Sequence, residues 1–460
     1  MRPRDLARIL QAGVLLLLIP VAALPQAPAS GSPAAAPLSP PRLELQRRTL
    51  PNGLQIVMLE DHSTPIINLQ VWYHVGSKDE RQGRTGFAHL FEHLMFKGSA
   101  HVGIDEHSRI VEAVGGFDNA YTSDDVTVYW QTFPANYLER VIWLEADRMG
   151  SLTVDAPNFK SEREVVKEER RMRVDDPPYG RVFEDLYDAA FTVHPYKHTT
   201  IGSMDDLNKA TLDDVREFHN TYYRPDNATM VIAGDFAPAN AIRWAEKYFA
   251  GIPRPAQPVP RVTLQEPPQT AERRLTKSYS NTPLPAVVAG YKMPARFTPD
   301  FYALDLASNI LSQGESSRLY RKLVYDEQVA VQTVGAGNFT EHPNLFFALA
   351  VMNQGKTAAD GEKSIVAELE RMKAELVSTE ELEKAKNQVI ASTILGRRRV
   401  QPKADEIGQA ALLGRDPEMV NTQLARYLAV TREDIQRVAR EYFVTPRRTV
   451  LVVEPPKPSK

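Results

Sequence analysis

One stretch of this chain occurs twice. Thr211–Ile232 reads TLDDVREFHNTYYRPDNATMVI, and Thr431–Val452 reads TREDIQRVAREYFVTPRRTVLV. Thr211 matches Thr431, Asp214 matches Asp434, Tyr222 matches Tyr442 and Thr229 matches Thr449, all at equal spacing. Each copy has the pattern of a helix followed by a closing strand. A repeated unit of roughly 200 residues points to two copies of one α+β fold. Pro253–Pro268 (PRPAQPVPRVTLQEPP) lies between the copies and reads as a linker. The expected organisation is a first domain over residues 43–252, a linker over 253–270 and a second domain over 271–460.

The N-terminus reads as a secretory signal. Arg2, Arg4 and Arg8 precede an apolar core from Ala12 to Ala23. That run is shorter than the roughly 20 residues a membrane-spanning helix needs. Residues 1–29 are therefore expected to be removed on export, with no stable membrane span afterwards and a periplasmic destination. Residues 30–42, rich in Pro and Ala, read as a flexible tether. The formal net charge of −3 argues against a nucleic-acid surface. The chain has no cysteine, which excludes disulfides, thiolate metal sites and cysteine nucleophiles.

Gly86–Gly98 (GFAHLFEHLMFKG) carries His89, Glu92 and His93 in an H-x-x-E-H pattern. On a helix, His89 and His93 lie about 40° apart and one turn from each other. Both imidazoles can then reach one zinc ion, and Glu92 beside them can take a proton from a water that the metal activates. The order inverts the commoner H-E-x-x-H, and both occur in zinc hydrolases.

A second helix is expected to begin at Pro157, in its first turn, and to run to about Arg173. With Glu162 set at 0°, Phe159, Val165, Val166 and Met172 fall at about 60°, 300°, 40° and 280°, and Glu169 at about 340°. Glu162 and Glu169 thus sit inside an apolar stripe, where a carboxylate needs a metal or a hydrogen-bond network. Trp72, Trp130 and Trp143 read as packing residues. The histidines outside the H-x-x-E-H pattern lack a partner in ligand register and read as core or surface residues.

Together these features make the chain resemble the pitrilysin/insulinase family of inverted zincins, in its short branch related to the mitochondrial processing peptidase. The resemblance covers nearly everything after residue 42. It implies two homologous domains, each a mostly antiparallel sheet covered by helices. It implies one Zn2+ per chain, held by His89, His93 and Glu169. Glu169 falls in Val165–Glu169 (VVKEE), which matches the family's third-ligand segment. It implies that Glu92 acts as general base and that Glu162 supports the site. Gly115–Tyr121 (GGFDNAY) resembles the family segment whose edge strand pairs with a peptide substrate, which assigns substrate binding to Asn119 and Ala120.

One stretch departs from the family. Active single-chain members carry an Arg and a Tyr in the second half, where this chain has Val324 and Val331 in LVYDEQVAV. The resemblance therefore implies a partner: a homologous subunit supplying the Arg and Tyr, or a second copy in a homodimer. The alternative within the chain is that Tyr320 or Tyr325 would take the tyrosine's place. The activity implied is zinc-dependent hydrolysis of peptides or unfolded segments. The rival is a non-catalytic scaffold or processing-complex subunit of the same family.

Overall fold

A computed structural model describes residues 40–456. The signal peptide and most of the tether expected from the sequence lie outside them. Two mixed sheets organise the chain. The first combines β1 (Leu45–Thr49), β2 (Gln55–Glu60), β3 (Ile66–Tyr73), β4 (Phe117–Thr122), β5 (Thr127–Pro134) and β6 (Ala228–Gly234) in the order β1-β2-β6-β3-β5-β4. The second combines β7 (Arg273–Ser278), β8 (Ala286–Met293), β9 (Ala330–Gly337), β10 (Asn344–Met352) and β11 (Arg448–Glu454) in the order β7-β11-β8-β10-β9. Every pairing is antiparallel except β2 with β6 and β7 with β11.

Those two parallel pairs are made by the repeated stretch. Thr211 and Thr431 each cap the following helix through a reciprocal box with Asp214 and Asp434, and each helix leads into the closing strand. Capping of this kind stabilises a helix by about 1 kcal/mol. At the start of the first sheet, β1 and β2 form a hairpin around Asn52-Gly53, with Gly53 at φ +95°.

The halves exchange helices. Five helices bear on the argument: α1 (Phe87–Leu94), α2 (Glu106–Glu112), α3 (Leu138–Ser151), α4 (Ala156–Arg170) and α5 (Val182–Ala190). Each sheet has its own helices on one face. On its other face, the first sheet packs Val57, Leu59, Trp72 and Val231 against Ala404, Ile407 and Ala411 of the helix Val400–Leu412. In return, Val182, Leu186 and Ala190 of α5 pack against Ala286, Val288, Leu345 and Leu451 of the second sheet. β3 is consequently buried on both faces. With this exchange, residues 40–456 form one compact unit. The Pro-rich stretch between the halves carries no regular element. It is strapped down by Glu266, which accepts backbone N–H groups from Thr192, Val193 and His194 at 2.7–3.0 Å. Burial alone would raise that carboxyl, but these donors hold it down at about 2.

Trp72 is fully buried and donates its indole N–H to Gln70 at 2.7 Å. Gly408 faces it so closely that a Cβ there would lie 2.1 Å from Cε2 of the indole. Gly408→Ala is expected to cost at least the 1–3 kcal/mol typical of overpacking, read as a lower midpoint in denaturant unfolding. A midpoint equal to that of the parent chain would show that the two halves can separate locally to make room.

Candidate metal centre

α1 begins at Gly86, which adopts φ +89°, and a Cβ there would meet the Ile201 carbonyl oxygen at 2.7 Å. The buried Glu80 carboxylate accepts the N–H groups of Gly86 and Ala88 at 2.9 and 2.8 Å, fixing the helix start. Burial pushes the Glu80 carboxyl up, against those N–H bonds. From this start the helix presents His89, Glu92 and His93 towards β4 and α4.

α4 has Pro157 in its first turn and Asp155 as its cap, accepting Asn158 N–H at 2.8 Å. Its buried face is narrower than the wheel predicted. Phe159, Glu162 and Val166 are buried, whereas Val165 and Met172 are 45% and 66% exposed. At Arg171–Asp175 the helix widens into a π turn, closed by Asp176 N–H to Arg171 at 2.8 Å. The wider turn throws the register out, so Met172 leaves the stripe at the point where a uniform 100° step keeps it in.

The structure brings His89, His93 and Glu169 together, each offering a ligand atom within 4.8 Å of the others. Glu169 Oε2 lies 3.5 Å from His89 Nε2 and 3.3 Å from His93 Nε2. A tetrahedron with roughly 2.05 Å from centre to corner has edges of about 3.3 Å, so this donor set fits zinc. The second ring nitrogen of His89, Nδ1, is buried without a partner. Burial, with His93 alongside, lowers the His89 imidazole to about 4, so it is neutral and free to donate a lone pair near pH 7. His93 goes the other way: burial would lower it, but the Glu162, Glu169 and Glu92 carboxylates outweigh that and raise it.

Glu162 Oε2 is 3.5 Å from His93 Nδ1, and its Oε1 is 3.4 Å from Lys97 Nζ. Burial would raise Glu162, but these two neighbours lower it. Glu92 stands outside the ligand trio. Its Oε2 accepts the Thr122 hydroxyl at 2.8 Å, and burial raises its carboxyl. Asn119 and Ala120 lie on β4, the edge of the first sheet. The Ala120 N–H is taken by the side chain of Asn119 at 2.8 Å.

A cavity of about 650 Å³ opens on this set, lined by His89, Glu92, His93, Glu169, Asn119 and Ala120 among others. None of Val324, Val331, Tyr320 or Tyr325 is among the described residues lining it. Val324 packs against the core of the second half, and Tyr325 is 70% exposed. Thr122 and Arg173 also line the cavity, and sequence reasoning passed over both. Alternation along β4 gave a signal for Thr122, which shares a face with Ala120. Nothing in the spacing pointed to Arg173, because the π turn sets its direction.

The insulinase profile (peptidase family M16) matches residues 55–204, and the profile of the peptidase M16 inactive domain matches residues 209–389. The zinc protease PqqE of Helicobacter pylori is 34% identical over 412 residues, covering 88% of this chain and 92% of that protein. The chain belongs to peptidase family M16. It is a zinc metallopeptidase. A solved protease from Helicobacter pylori superposes with a TM-score of 0.87 at 33% identity, over 90% of this chain and 100% of that one. A probable mitochondrial-processing peptidase subunit beta of Arabidopsis thaliana is 22% identical, covering 87% of this chain and 76% of that protein. Among the described residues, no helix is long and apolar enough to cross a membrane.

Proposed function

We propose that this M16 member is an endopeptidase that cleaves peptides or unfolded segments at the cavity between α1, β4 and α4, with His89, His93 and Glu169 holding one zinc ion. The observation that carries this reading is the pair of Nε2–Oε2 separations, 3.5 and 3.3 Å, which match the edges of a zinc tetrahedron. Zinc bound there supplies a Lewis acid that polarises a water and the scissile carbonyl.

The protein's own residues do the rest. Thr122 holds one oxygen of Glu92, and the other takes the proton of the attacking water. Glu92 then returns that proton to the leaving amide nitrogen. Glu162 fixes the orientation of His93 through Nδ1 and keeps Nε2 turned to the metal. The substrate lies along β4 as an added strand, and its carbonyl displaces the Asn119 side chain from the Ala120 N–H. The domain boundaries at 252 and 271, export to the periplasm and removal of residues 1–29 belong to the same reading.

A second reading concerns self-sufficiency. Val324 and Val331 stand where the family resemblance expects an Arg and a Tyr, and neither reaches the cavity. On that ground a partner subunit, or a second copy, completes the site. Quenched-peptide cleavage by the purified chain, with and without a zinc chelator, separates the readings. Chelator-sensitive cleavage is expected, and vigorous turnover by a strictly monomeric chain would dismiss the partner. A folded, zinc-loaded chain that cleaves only once a homologous subunit is added would establish it. No cleavage under either condition favours the scaffold alternative.

A further inference from the structure

The cavity around the metal set is walled by three carboxylates, Glu92, Glu169 and Glu184, together with the apolar Val174, Phe183 and Ile201. Glu184 is already neutralised by Arg170, whose Nη2 lies 3.0 Å from it. Arg173 is the one lysine or arginine side chain among the described residues lining that cavity. It sits on the π turn that continues α4, and its side chain is 74% exposed. Its Nη1 lies 3.0 Å from Glu169 Oε1, the oxygen turned away from the two imidazoles. That contact pins the guanidinium beside the metal set and leaves Nε and Nη2 without another protein acceptor among the described residues. These two groups form the side-on fork of arginine, two parallel N–H donors that match a carboxylate.

We propose that Arg173 determines specificity: it binds an acidic side chain of the peptide beside the scissile bond and turns away peptides with lysine or arginine at that position. This rests on the peptidase reading above. The guanidinium is largely exposed and each charge interaction is screened, so attraction of an acidic residue and repulsion of a basic one together are expected to give a preference of about tenfold, or ~1.4 kcal/mol.

The test uses the full zinc-loaded chain and a set of quenched peptides, identical except that Glu, Gln or Lys is scanned through the positions on either side of the cleaved bond. At one position Glu should exceed Lys about tenfold in kcat/KM. Arg173→Gln should bring the two within about twofold, Arg173→Glu should invert the order, and Arg173→Lys should keep a reduced preference for Glu. A Glu-to-Lys ratio that is the same in the parent chain and in Arg173→Glu overturns the assignment. Binding of the same peptides by fluorescence anisotropy, in a Glu92→Gln background, gives the ratio without turnover. If no peptide is cleaved, even with a homologous subunit added, but the binding ratio inverts with Arg173→Glu, the peptidase reading fails and the recognition of acidic peptides by Arg173 stands.

Discussion

Glu92→Gln is expected to lower turnover by about 10²–10⁴-fold while the chain still folds and still binds zinc. The two side chains have the same shape, and the Thr122 hydroxyl that donates to Oε2 at 2.8 Å can donate to the glutamine carbonyl oxygen instead. Glu92 contributes no atom to the ligand trio of His89, His93 and Glu169. What the substitution removes is the capacity to accept a proton. No second carboxylate replaces it, because Glu169 faces both imidazoles and Glu184 is held by Arg170. Metal analysis and peptide cleavage on the same preparation make the check. A variant that keeps zinc and cleaves at the parental rate removes Glu92 from the mechanism. A variant that loses zinc would instead move Glu92 into the ligand set, contrary to the geometry.

The residues that local periodicity could place were legible in the sequence. His89 and His93 follow from a four-residue step on one helix, and Glu162 and Glu169 follow from the wheel of the next. The wheel went wrong at Val165 and Met172, both exposed. A wheel assumes a uniform step, whereas α4 widens at Arg171–Asp175, which turns Met172 out; nothing in the structure explains the exposure of Val165 beyond a buried face narrower than the wheel. The duplication was legible because both capping boxes, Thr211 with Asp214 and Thr431 with Asp434, are local. The exchange of helices between halves was not. It depends on contacts such as Gly408 with Trp72, far apart in the chain, which only the folded core brings together. The strand pattern of β3 shows a buried face but not that the second half covers the other one. Thr122 and Arg173 act on Glu92 and Glu169, so their importance is defined by those residues and not by any spacing of their own.

Glu169→Ala and Glu162→Gln are expected to separate a ligand from its support. Glu169 supplies the oxygen that closes both edges to the imidazoles, and without it two nitrogens on one helix remain. Zinc affinity should fall well beyond the roughly 10–100-fold that loss of a supporting residue typically costs, and cleavage should vanish with it. Glu162 touches the far nitrogen of His93 and never the metal position. Its amide variant keeps the shape but loses the charge shared between His93 and Lys97, so the loss should stay within that 10–100-fold range. The stability readout follows by linkage. A chain holding zinc at 100 times its Kd is stabilised by about 2.7 kcal/mol over the metal-free form. Zinc should therefore raise the unfolding midpoint of the parent chain and, at sufficient metal, of Glu162→Gln. In Glu169→Ala, at a zinc concentration that saturates the parent chain, the midpoint should be nearly the same with zinc or chelator, because the two remaining imidazoles bind the ion too weakly to be occupied. A zinc-dependent midpoint that survives in Glu169→Ala would place the third ligand elsewhere, with Glu162 and Glu92, the other carboxylates beside His93, next to be tested.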